Sequence, residues 1–183
     1  MQRKHSGFTI VELVVVIILL GILAATALPR FIDIEDDAHA SAFEGVQGSL
    51  QTGVSLFHAK AVATQAGADD IPGPPDDFSG LLSTAGGYPY GTTVRGTSLP
   101  EDAADCADVF ANVQQAGAPN VATAASQGAV DAVAGSPDYV AVLVGGTCVY
   151  HYTGETMTVG EVVRTLTYDP ASGQVTAGTY TLS

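Results

Sequence analysis

The run from Phe8 to Leu28 is almost unbroken hydrocarbon, and it follows a short basic leader, Met1 to Gly7. As a helix rising about 1.5 Å per residue it spans roughly 31 Å, against roughly 30 Å for a bilayer core, so it is long enough to cross a membrane. One carboxylate, Glu12, interrupts the run near its head. An acidic side chain inside such a helix costs about 2.5 to 3.5 kcal/mol on insertion scales. Glu12 therefore calls for a partner, or for a place near the membrane interface where the cost falls.

Two kinds of processing fit this segment. Arg3 and Lys4, the apolar stretch Leu13 to Leu23 and the small residues Ala25, Thr26 and Ala27 match a secretory signal peptide, which would release a soluble chain beginning at Leu28. Against that reading stand the polar Thr9 and Glu12 at the head of the run, and a helical pattern that continues past the supposed cut. The residues Lys4, His5, Ser6, Gly7, Phe8, Thr9, Ile10, Val11, Glu12 and Leu13 resemble the leader and first helix of type IV pilins and pseudopilins. The resemblance implies cleavage between Gly7 and Phe8 by a prepilin peptidase, N-methylation of Phe8, and retention of the helix, first as a membrane anchor and then as a filament core. It also implies that Glu12 neutralises the terminal amine of a neighbouring subunit. Among apolar helices with little water, such a pair attracts strongly while either charge alone is penalised.

The partners implied are copies of the chain in a helical filament, the peptidase, the pilus assembly machinery and, before assembly, the inner membrane. No cofactor is implied. The precursor would sit in the inner membrane and the assembled pilus outside the cell, with adhesion as its use. A type II secretion pseudopilin and a soluble secreted binding module are the alternatives.

With 183 residues the chain has room for one modest domain and a long helix. Six Lys and Arg stand against 19 Asp and Glu, and losing Arg3 and Lys4 leaves only Arg30, Lys60, Arg95 and Arg164. So acidic a subunit disfavours nucleic acid and anionic lipid head groups. The two cysteines, Cys106 and Cys148, fall in the part that would be delivered outside the cytoplasm, where disulfides persist, and many pilin heads carry a disulfide in their C-terminal half. They are expected to pair; two buried thiols are the other reading.

The expected architecture is α+β: a long N-terminal helix, apolar over 8–28 and amphipathic over 29–66, packed on an antiparallel β-sheet head over 67–183. Pro29 predicts a kink, a loosened turn or a helix break. Beyond it Phe31, Ile34, Ala38, Ala42, Val46, Leu50, Val54, Phe57 and Ala61 recur at helical spacing. Gly45, Gly48 and Gly53 each weaken that helix by roughly 1 kcal/mol relative to Ala, so it should depend on docking. Gly67 to Gly96 is loop chemistry, whose pairs Asp69, Asp70 and Asp76, Asp77 are candidate oxygen ligands for calcium or plain acidic surface. A short helix is expected over Glu101 to Gln115, and Pro119 to Gly135 has no clear assignment. Strands are expected over Tyr139 to Val144, Thr147 to Thr153, Val162 to Tyr168 and Gln174 to Leu182. Leu28 to Asp33, Asp105-Cys106-Ala107, Cys148 to Tyr152 and the stretch Leu166 to Val175 are similar to the mannose-sensitive haemagglutinin branch of the pilins.

No nucleophile elbow, metalloprotease helix, phosphate loop or dinucleotide fingerprint occurs. His5, His39, His58 and His151 are scattered, and Tyr88, Tyr90, Tyr139, Tyr150 and Tyr152 suit either an adhesive face or sheet packing. The chain reads as no enzyme, and no metal-ligating residues are assigned.

Overall fold

Helix α1 (Ile10–Thr64) opens the computed structural model, which describes residues 8–73, 77–94, 96, 98–114, 117–133, 137–155 and 157–183, and in which side chains at 28–33 lie outside the description. The chain divides into two compact units, 1–41 and 42–183. In the first, α1 carries the apolar run, followed by the acidic stretch Glu35, Asp36 and Asp37, where His39 faces Glu35 at 4.0 Å. Position 29 falls inside the helical span, so the backbone makes no plain break there.

The second unit begins on α1 and builds the head. The stripe Phe43, Leu50, Val54, Phe57 and Ala61 is buried, at the intervals of seven, four and three residues that put side chains on one helix face. Each large member contributes on the order of 1.5–3 kcal/mol by leaving water. The stripe packs with Tyr139, Ala141, Tyr150, Leu166 and Tyr168 from the sheet, and with Val109 and Phe110 from helix α2 (Ala103–Val113). Asp102 caps α2, accepting from the amides of Ala104 at 2.9 Å and Asp105 at 3.0 Å.

A two-stranded ribbon, β1 (Leu82–Ser83) with β2 (Pro89–Gly91), lies in the loop-rich stretch after α1. The main sheet follows, from β3 (Val121–Thr123), β4 (Tyr139–Val144), β5 (Thr147–Tyr152), β6 (Val162–Asp169) and β7 (Gln174–Thr181), in the order β3-β4-β5-β6-β7. The last four form the expected antiparallel meander. The expected purely antiparallel sheet is corrected at one edge, because β3 pairs with β4 in parallel, Val121 opposite Tyr139. That parallel partner comes from the Ala- and Gly-rich stretch that had no clear assignment, and among the described residues its connection to β4 contains the 3₁₀ turn Gln127–Ala129.

Alternation divides the strands between two cores. Tyr139, Ala141, Cys148, Tyr150 and Tyr152 face the helices, while Val140, Val142 and Val163 pack under Ala124, Val130 and Leu182 on the other side. His151 also has its ring fully buried, edge-on to Tyr180 at 5.0 Å between centroids.

Candidate functional site

The N-terminal end of α1 is built as a reciprocal cap. Thr9 donates to Oε2 of Glu12 twice, from its amide at 2.9 Å and from its hydroxyl at 2.7 Å. Glu12 returns a bond from its own amide to the Thr9 hydroxyl at 3.3 Å. This is the Thr-x-x-Glu capping box, which satisfies donors that a helix start otherwise leaves bare. The negative carboxylate also meets the positive end of the helix dipole. Glu12 thus has a partner within its own chain, one that holds the carboxylate back toward the helix start. Phe8, the residue that the expected cleavage would leave first, stands just ahead of the cap and is exposed.

Behind the cap, Ile10–Ala27 is long and apolar enough to cross a membrane, and none of it is buried. Ile10, Leu13 and Leu20 are 81%, 57% and 58% exposed, a hydrocarbon surface on every side of the helix that water does not tolerate. Its hydroxyl-bearing residue, Thr26, spends its proton on the carbonyls of Leu23 at 3.0 Å and Ile22 at 3.4 Å. That removes an unsatisfied donor from this apolar surface.

The other residues singled out by sequence are placed as follows. Gly7 and His5 lie outside the described residues, as does the side chain of Pro29. Cys106 and Cys148 form a disulfide, with Cα atoms 5.4 Å apart, that fastens α2 to β5. The Tyr150 hydroxyl repeats the connection, donating to the Cys106 carbonyl at 2.9 Å.

The acidic pairs do not converge. Asp69 accepts from Tyr90 at 2.5 Å, Asp70 from the Gly67 amide at 2.7 Å, and Asp77 from Lys60 at 2.9 Å, while Asp76 lies outside the described residues. Among the described residues no group of His, Cys, Asp and Glu is arranged to hold a metal ion.

The tyrosines go mainly to packing. Tyr90, Tyr139 and Tyr150 are fully buried, Tyr152 nearly so, and burial raises the Tyr150 hydroxyl far above its ordinary range. Tyr88 is half-buried and stacks on His58 at 4.3 Å. His151 has neither ring nitrogen hydrogen-bonded, and burial lowers its pKa to about 4.

Sequence reading took Thr9 only as a polar residue at the head of the run and missed it as the cap of Glu12. Its signal was present as a threonine three residues before a glutamate at the start of an apolar run.

One comparison with known proteins falls on this end of the chain. Residues 2–28 match the family model described as the prokaryotic N-terminal methylation motif. The type IV narrow pilus major component of Thermus thermophilus is 33% identical over 63 residues, covering 33% of this chain and 54% of that protein. A type IV major pilin protein of Neisseria gonorrhoeae is 38% identical over 84 residues, or 44% of this chain and 50% of the relative. The type II secretion system core protein G of Pseudomonas aeruginosa is 32% identical over 56 residues, 31% and 39% respectively. The chain spans about half the length of the relatives it matches. No solved structure matches it. A capped, wholly exposed apolar helix under the methylation motif, joined to an α+β head, fits a membrane-anchored precursor, in a chain similar to type IV pilus components and to a type II secretion core protein.

Proposed function

We propose that this chain is a prepilin, cut between Gly7 and Phe8 by a prepilin peptidase, methylated on the Phe8 amine and polymerised by the pilus assembly machinery into a type IV pilus. It is a structural subunit and not an enzyme. The observation that carries the reading is the unpartnered hydrocarbon of Ile10–Ala27, none of it buried within its own chain. Lipid covers that surface in the precursor, and sibling helices cover it in the filament. The trade is nearly neutral for the apolar residues and favourable for Glu12, whose carboxylate gains the charge of a neighbour's terminal amine. Head-to-tail packing of one helix among many is a heterologous contact, which builds a helix of subunits rather than a closed ring. Pro29 serves as the point where α1 adapts between the two surroundings, and attachment of the cell is the use of the finished fibre. The later matches around Cys106 and Cys148 favour the mannose-sensitive haemagglutinin branch.

A type II secretion pseudopilin is the second reading, favoured by the likeness to core protein G. Mass spectrometry of the mature N-terminal peptide tests the processing: a first residue of methylated Phe8 supports it, and one near Leu28 overturns it. Glu12→Ala is expected to abolish assembly with the head still folded. Surface fibres that vanish on deletion of the chain favour the pilus; unchanged fibres favour the secretion piston.

A further inference from the structure

Strand β7 is last in the sheet order, so among the described residues one of its sides has no strand neighbour. Its pairing with β6 runs without a bulge from Asp169 opposite Gln174 to Val162 opposite Thr181. Two bonds show which backbone groups face away from the sheet. The Leu182 amide donates inward, to the Glu161 carbonyl at 2.9 Å, whereas the Val175 amide donates outward, to Gln51 Oε1 at 2.8 Å. Antiparallel ladders alternate between these orientations. Ala177, Thr179 and Thr181 therefore turn both amide and carbonyl outward, and among the described residues these groups meet no partner.

Natural sheets blunt such an edge with lysines, prolines, bulges or very short strands. The opposite edge, β3, is short, with three residues. β7 has eight residues, no charge and no proline, and Thr176, Ala177, Gly178, Thr179 and Thr181 are all exposed.

We propose that the β7 edge joins two copies of this chain head to head, as an antiparallel pairing about a two-fold axis at Thr179, with Ala177 opposite Thr181 of the second copy. This register uses the three unbonded amides and leaves Val175 with Gln51. Charge favours a second copy as occupant: in a chain with 19 acids most approaches of two heads oppose like charges, and β7 is an uncharged stretch along which the backbones can meet. A two-fold contact uses the same patch on both copies and closes at two, so it does not lengthen a filament. It links filaments sideways. A single pairing buries well under the ~1,200 Å² of a stable complex, but repetition along two fibres makes weak contacts hold. That last consequence rests on the filament reading; the pairing itself does not.

The test uses the full chain in detergent micelles carrying Thr179→Cys, oxidised under mild conditions. Cα atoms of facing antiparallel residues lie about 4.5–5.5 Å apart, within disulfide range. Ser172→Cys, exposed on the β6–β7 hairpin, controls for crowding of heads in one micelle. The expected result is about tenfold more cross-linked dimer from Thr179→Cys than from Ser172→Cys, reduced to the control level by adding Ala177→Lys, whose amide takes no part in the chain's own ladder. Amide exchange should slow at Ala177, Thr179 and Thr181 as protein concentration rises, while Thr176 and Gly178, already bonded to β6, stay unchanged. Equal cross-linking from the two positions overturns the proposal, as does protection that ignores Ala177→Lys. Protection that appears only when another protein is added assigns the edge to a foreign strand and also overturns it. Paired heads with no fibres leave the pairing standing and count against the filament.

Discussion

A side chain at Gly53 would place its Cβ 2.3 Å from the carbonyl oxygen of Val113, where α1 and the end of α2 meet backbone to backbone. Gly53→Ala must push the two helices apart, at a cost of about 1–3 kcal/mol or more, which outweighs the roughly 1 kcal/mol that alanine gains in helix propensity. Gly45 and Gly48 have open space at the same position, so alanine there should stabilise by about 0.5–1 kcal/mol each. Denaturant unfolding of the detergent-solubilised monomers should show shifts of opposite sign.

Removing the Thr9 hydroxyl separates the cap from the charge. Thr9→Val deletes both bonds that its hydroxyl makes with Glu12 and leaves the bond from the Thr9 amide. Loss of such a cap costs about 1 kcal/mol. Exchange of the Glu12 amide should speed by roughly fivefold in micelles, and Thr9→Ser should restore it.

His151 makes the head acid-sensitive. Its folded pKa is lowered to about 4 by burial, from an ordinary value near 6.5, so the folded state binds fewer protons than the unfolded one between those limits. Its contribution is fully present above pH 6.5 and is lost as pH falls toward 4, amounting to about 3 kcal/mol across that window. His151→Phe should flatten this part of the stability–pH curve and cost little at pH 7, because neither ring nitrogen has a hydrogen bond to lose. Unfolding midpoints measured from pH 4 to 7 check it.

Reduction of Cys106–Cys148 opens a loop with a sequence separation of 42. The chain-entropy relation puts the loss at about 4 kcal/mol. A Cys106→Ala, Cys148→Ala double variant should unfold at markedly lower denaturant and ignore reductant, while the parent becomes reductant-sensitive.

Much of this architecture is legible in the chain itself, and the remainder fails for identifiable reasons. Strands β4 to β7 announce themselves through β-branched and aromatic residues separated by glycine turns, and all four appear within a residue of their expected bounds. The short helix starts at Ala103, not Glu101, because Asp102 caps it there. β3 was not legible: a three-residue strand made of Val121, Ala122 and Thr123 owes its existence to the exposed side of β4, not to local preference. Gly53 looked like a flaw in a helix, because the carbonyl that requires it comes from a residue far along the sequence. At the N-terminal end the apolar run declared itself, while Thr9 passed as one more polar residue because its partner is the very glutamate whose charge demanded explanation.

Gln51 offers its side-chain amide to the rim of the β6–β7 hairpin, donating to the Gly173 carbonyl at 3.1 Å and accepting the Val175 amide at 2.8 Å, as a neighbouring strand would. Each added residue turns a helix by about 100°, so one insertion between Phe43 and Gln51 swings that amide away from the hairpin. The length of this segment is therefore counted as well as its composition. Insertions and deletions that diversify the head should gather in its turns and spare α1 between these two positions.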